Sequence, residues 1–295
     1  MAARGDAAEF FRDLHAENEQ LKRQLADWMN LSGKPHRPPK VPATYKWRSG
    51  GFRRILVIPD TQVHPGVPTQ HLEWIGRYIA DKRPEVIVHL GDHWDLPSLS
   101  SWDTVGKKAF EGRAYTADVE AGNEAMDLLT SQYRKKRDYT PDEHFLIGNH
   151  EQRIERFLDD QVMLRGIIGY ENLNLHGWNV HGFLKVVELG GVLFSHYFHG
   201  ANSPRPIGGT AHNLLARVGR SCVQGHRQGL DSAVKNLPDG TMRRSLIAGS
   251  CYLHSESYRR QSNGEWRGIV MLHEVRDGNW GQMEVSLDYL RRRYG

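Results

Sequence analysis

Apolar and polar residues alternate along this chain in short blocks, and changes in their period mark out its elements. Near the beginning, Phe11, Leu14, Asn18, Leu21, Leu25 and Trp28 recur at alternating spacings of three and four, the seam of a short coiled coil with Asn18 as its polar position. A buried asparagine in such a seam fixes a paired register. Residues 1–31 are therefore expected to form an N-terminal helix through which the chain makes a homodimer or higher oligomer, with an amphipathic helix packed on its own domain as the alternative. Residues 32–51 carry four prolines and little apolar periodicity, and they read as an extended, semi-rigid linker.

Residues 52–295 read as the globular domain. The apolar run 54–59 predicts a buried strand, and 69–82, with Leu72, Ile75 and Ile79 on one face, predicts a helix with Thr69 as its N-cap. The run 85–90 predicts a second strand. Together these make a βαβ unit, whose strands run parallel. A polar, helix-compatible stretch at 114–137 precedes a strand at 144–147. Further strands are predicted at 180–189, 192–195, 221–224, 245–248 and 268–275, so the second half is richer in strands and a β-rich second layer is expected.

Composition narrows the class. With 39% hydrophobic and 25% charged residues the chain has enough apolar material for a sizeable core. It has no 18-residue apolar run and no apolar leader-like segment, so the expected compartment is the cytoplasm, with no membrane partner. Two cysteines, Cys222 and Cys251, exclude a disulfide framework or a cysteine-rich zinc module and read as small buried residues. The net charge of +4 suits a polyanionic partner without requiring one.

Candidate chemistry sits at strand ends. Asp60 follows ILVIP, Asp92 follows VIVHLG, Asn149 and His150 follow HFLIG, His196 follows VLFS, and His226 follows SCVQG. In open α/β sheets the crevice beyond the carboxyl ends of the strands is where ligands bind, so five such endings are able to converge on one pocket. Singly, each also reads as a turn, a cap or a structural histidine.

In order, DTQ at 60–62, GDHWD at 91–95, GNHE at 148–151, the strand-ending His196 and GHRQ at 225–228 resemble the motifs of the calcineurin-like metallophosphoesterases. The resemblance covers roughly 52–275. The wording SHYFHG and GHRQGLD looks most like phage-encoded members labelled phosphoesterases or DNA-repair nucleases. The resemblance implies an α/β fold, a four-layer α/β/β/α sandwich, to which the N-terminal helix read from the 11–28 spacing is an extension. It also implies two divalent ions, the first held by Asp60, Gln62, Asp92 and Gln228 and the second by Asp92, Asn149, His196 and His226. Asp92 bridges them, and a metal-bound hydroxide is the nucleophile. His150 is then the general acid, oriented by Asp95.

Two positions depart from the family pattern, which has His at both Gln62 and Gln228. An amide oxygen is a harder, weaker donor than imidazole, which favours Mn²⁺ or Mg²⁺ over zinc and leaves the first site weak. His64 is a substitute ligand or an ordinary loop residue. His199, His254 and Arg153 are candidate substrate contacts, each with a structural alternative.

For the substrate, basic pairs and runs at Lys107, Lys108, Arg134, Arg137, Arg243, Arg244, Arg259, Arg260 and Arg291 to Arg293 read as a path for a phosphate backbone or as solvated faces. The aromatics Trp94, Trp102, Tyr115, Tyr252 and Trp266 read as stacking platforms or as core. A phosphodiesterase or nuclease acting on DNA is the leading expectation. A small-substrate phosphatase or nucleotide hydrolase, or a metal-poor scaffold subunit, stands as the alternative.

Overall fold

A computed structural model describes residues 53–100, 112–255 and 265–295. All of them lie in the second of two units, Pro39–Gly295. The expected coiled coil at 1–31, the linker at 32–51, Trp102, Lys107, Lys108, Arg259 and Arg260 fall outside the described residues.

The fold is mixed α/β, with two sheets and five helices among the described residues. In the first sheet, β1 (Arg53–Ile58), β2 (Val86–His89), β3 (Asp142–Leu146) and β4 (Asn179–His181) run parallel. On the other side of β1, β10 (Gly268–Arg276) pairs antiparallel and β11 (Asn279–Ser286) pairs with β10. In the second sheet, β6 (Val192–Ser195), β7 (Cys222–Gln224) and β9 (Met242–Ala248) run parallel. Its antiparallel edges are β5 (Val187–Leu189) and β8 (Leu230–Asn236). The helices are α1 (Gln70–Lys82), α2 (Tyr115–Arg134), α3 (Arg153–Asp160), α4 (Ala211–Val218) and α5 (Leu287–Tyr294).

The continuous apolar run of β1 has a direct explanation. Successive side chains point to opposite faces of a strand, and both faces of the first sheet are covered. Leu56 and Ile58 join Leu72, Ile75 and Ile79 of α1, Met126 and Leu129 of α2, and Leu290 of α5 in one apolar cluster. The alternate residues Ile55 and Val57 join Val192, Phe194, Val223 and Leu246 of the second sheet in another. A third cluster packs Ala211 and Leu214 of α4 on Cys222 and Ile247. Cys222 and Cys251 are both buried and unbridged, as composition implied.

Two expectations are corrected. The run 180–189 is two strands, because the chain leaves the first sheet after His181 and enters the second at Val187. Thr69 begins α1 without a side-chain cap; its backbone lies in the helical region, and only its carbonyl accepts, from Leu72 N–H at 2.9 Å.

Candidate metal centre

The loops after the parallel strands of both sheets meet at one place, and backbone hydrogen bonds join them. Gln62 N–H donates to Asp92 O at 2.8 Å, tying the β1 loop to the β2 loop. Gly225 N–H donates to His196 O at 3.0 Å and Cys251 N–H to Asp60 O at 2.7 Å, which fastens the second sheet's loops to each other and to the first sheet.

Each turn is chosen for close approach. Gly91 has φ +95, and a Cβ there would lie 2.4 Å from Leu146 O. Asp92 itself takes φ 51, a left-handed conformation that ordinary residues rarely adopt and that cross-bonding must hold. A Cβ at Gly148 would sit 2.1 Å from Asp92 Oδ1, and one at Gly225 would sit 2.6 Å from Asp60 Oδ1. Bare backbone at those two positions makes room for the carboxylates.

Ligand atoms of Asp92, His196 and His226 all lie within 4.8 Å of one another. Asn149 completes the group, its Oδ1 being 2.8 Å from His196 Nε2 and 2.7 Å from His226 Nδ1. His196 donates from Nδ1 to Leu90 O at 2.7 Å, which leaves Nε2 facing Asp92 Oδ2 at 3.4 Å. This is the outer hydrogen bond that orients a metal-binding imidazole. Asp60 Oδ1 accepts His226 N–H at 3.0 Å, while its buried Oδ2 has no hydrogen-bond partner among the described residues. Two buried carboxylates side by side, two imidazoles and an amide oxygen are a donor set that fits a divalent cation.

The family profile for calcineurin-like phosphoesterases matches residues 53–231, more than half of the chain. The chain belongs to that family. It is a metal-dependent phosphoesterase. It is also similar to the Gene 54 protein of Mycobacterium phage L5 and to the Gene 54 protein of Mycobacterium phage D29. Each match is 28% identical over 187 residues, covering 60% of this chain and 71% of the relative. No helix among the described residues is long and apolar enough to cross a membrane.

Electrostatics of this phosphoesterase follow from burial. Burial and the Asp92 charge push the Asp60 carboxyl up to about 7. Burial alone would raise Asp92 too, but the charges of His150 and His196 overcome it and hold Asp92 well below the usual carboxylate range. His196 resists burial through the Asp92 charge and rises to about 9, whereas burial and the His196 charge lower His226 to about 4.

His150 stands beside this group. Its Nδ1 is hydrogen-bonded to Asp95 Oδ1, its backbone N–H donates to Asp92 Oδ1 at 2.9 Å, and its Nε2 lies 3.7 Å from Asp92 Oδ2. Burial disfavours its charged form, yet Asp92 and the Asp95 hydrogen bond raise its pKa above the ordinary histidine value.

The remaining candidates separate. Arg153 is buried and turned inward, donating to Asp95 O at 2.5 Å and Leu96 O at 3.3 Å, with one nitrogen 3.5 Å from His150 Nε2. His199 is exposed and lines a cavity of about 570 Å³ with Phe198, Ile207 and Arg217, a lining that includes none of Asp60, Asp92, Asn149, His196 and His226. His254 stacks on Tyr252 with ring centroids 4.6 Å apart and meets His64 edge-on at 5.3 Å. Gln62 and Gln228 bond to each other, Gln228 Nε2 donating to Gln62 Oε1 at 3.1 Å. Of the aromatics, Trp94 is fully buried beside His93 and Phe145, and Tyr252 is nearly so. Arg134 is held by Glu143 at 3.0 Å.

Sequence reasoning missed Glu151. Wholly buried, its carboxylate accepts the backbone N–H groups of Asp92, His93, Trp94 and Gly148 at 2.7–3.0 Å, drawing the β2 and β3 loops together. The fourth letter of GNHE was the signal. The Asp92 loop is further docked on α2, where His93 Nε2 lies 3.0 Å from Gly122 O and Trp94 Nε1 donates to Asn123 Oδ1 at 3.2 Å.

Proposed function

We propose that this chain hydrolyses phosphodiesters, with DNA as the substrate class, at a Mn²⁺- or Mg²⁺-dependent centre. The convergence of Asp92, Asn149, His196 and His226 from four loops carries the reading. Bound there, a divalent cation supplies Lewis acidity and lowers the pKa of water near a phosphoryl group. The protein's own groups do the rest. His196 presents Nε2 because Leu90 O holds its other nitrogen, and Asp92 brings buried negative charge. His150, its Nδ1 fixed by Asp95, keeps a proton at Nε2 for the leaving oxygen, which makes it the general acid. Asp60, Gln62 and Gln228 line a neighbouring position whose amides are a poorer cation set than the histidine-bearing one.

Several features support the finer reading. The net charge of +4 suits a polyanion, and the similar Gene 54 proteins belong to phages, which fits work on nucleic acid in the host cytoplasm. Three separate apolar clusters support the four-layer α/β/β/α arrangement, and the 1–31 seam supports dimer formation.

Hydrolysis of bis-p-nitrophenyl phosphate in Mn²⁺, abolished by EDTA and by Asp92→Asn, is the expected result. The same preparation is offered single- and double-stranded DNA, p-nitrophenyl phosphate and cyclic nucleotides. Turnover of the monoester or cyclic nucleotides alone overturns the DNA reading, and no turnover with any divalent ion favours the scaffold role.

A further inference from the structure

The family pattern places a second cation beside the first, between Asp60, Asp92 and residues 62 and 228. The donor groups found there are engaged otherwise. Tyr252 Oη donates to Gln228 Oε1 at 2.8 Å, and Gln228 Nε2 donates to Gln62 Oε1 at 3.1 Å. Glutamine binds a hard cation only through its amide oxygen, and each of these two oxygens already has one lone pair turned to a side-chain donor, an arrangement an arriving ion would have to disturb. The bridge is firmly built. Gln62 is 2% and Gln228 8% exposed, and Tyr252 is 1% exposed. The Arg267 guanidinium lies 4.4 Å over the Tyr252 ring and donates to the carbonyls of Tyr252 and His254 at 3.0 and 2.5 Å.

From this geometry we infer that the Tyr252–Gln228–Gln62 bridge stands in place of the first cation, and that the centre holds one divalent ion, at Asp92, Asn149, His196 and His226. The inference rests on the metal-centre reading above and narrows it. Turned towards Tyr252, the Gln228 amide presents N–H donors to its neighbours rather than a carbonyl oxygen. One observation favours a second ion: the unpartnered Asp60 Oδ2. Together with the shared Asp92 it offers two anionic donors, but Gln62 and Gln228 stand where the family pattern supplies two imidazoles, so an ion there would depend on water for the rest of its ligands.

Counting ions tests the inference. The full-length chain is stripped with EDTA and titrated with Mn²⁺ by calorimetry and electron paramagnetic resonance. One Mn²⁺ per chain with an isolated-ion hyperfine pattern is expected. The double variant Gln62→His with Gln228→His is expected to take a second ion and show exchange coupling. Two ions in the unaltered chain overturn the inference while leaving the metal centre intact. A double variant that still binds one ion also overturns it, because the amides are then not what excludes the second. Binding of no ion in the unaltered chain overturns the metal-centre reading itself.

Discussion

Glu151 Oε2 accepts the backbone N–H of Asp92 at 3.0 Å and that of Gly148 at 2.8 Å, so one buried carboxylate oxygen clamps the ends of β2 and β3. Asp92, a proposed ligand, sits in a left-handed conformation that few residues other than glycine adopt, and this clamp helps to hold it there.

Replacing Glu151 by Gln exchanges one acceptor oxygen for an N–H₂ group facing backbone donors. The Glu151→Gln variant is expected to lose about 1–3 kcal/mol of stability and to bind Mn²⁺ more weakly. Denaturant melts and calorimetric titration check this; unchanged stability would show that the four hydrogen bonds do not hold the loops.

Gly148→Ala is expected to be worse at the site than in the fold. Its Cβ would press 2.1 Å from Asp92 Oδ1 and 2.4 Å from Asp92 N. Overpacking of this kind costs roughly 1–3 kcal/mol, and displacement of Asp92 adds a loss of ion affinity. Thermal melts with and without Mn²⁺ separate the two, since the stabilisation that Mn²⁺ gives should shrink in the variant.

His150→Asn is expected to reduce kcat by about 10²–10⁴-fold while retaining the ion, as removal of a general acid does. Burial opposes protonation of His150, and Asp92 and Asp95 reverse that balance. An acid works only while protonated, so activity falls as pH rises through its pKa. Asp95→Asn removes a carboxylate that raises that pKa, and the alkaline limb of the pH–rate profile should move to lower pH. A limb that stays in place refutes the orienting role of Asp95.

Outside the donor group itself, His71, His144 and His181 are buried neutral. Burial is the leading cause of each depression, to about 3, about 4 and about 4 respectively. The unfolded chain takes up protons at these groups near pH 6.5, as free histidine does. Between there and pH 4 the unfolded state binds more protons, so stability is fully present above pH 6.5 and declines as pH falls. The Tm of EDTA-treated protein should drop between pH 7 and 5. His181→Gln should drop less steeply, and equal slopes contradict the assignment.

Much of this was legible from residue order. The strands that read correctly, such as β1, β2 and β6, are buried along their length, so their apolar runs are continuous. Two strands that did not read are edges. In β8 the sequence LDSAVKN has no fully buried position, and β11 carries a glycine among polar residues; neither shows an apolar run or a clean alternation. The short helix α4 was missed because only eight residues carry its pattern. At the site, the strand endings pointed to residues that the structure brings together, Asp92, Asn149, His196 and His226, but not to the hydrogen-bond partners of Gln62 and Gln228, because Tyr252 lies 24 positions beyond Gln228 and bonds through side chains.

The donors Asp92 and Asn149 hang from the first sheet, and His196 and His226 from the second. An ion seated among them works as a rivet between two halves of the molecule. Folding and loading then share one free energy: ion concentration raises the melting point, and either half expressed alone lacks a complete set of ligands.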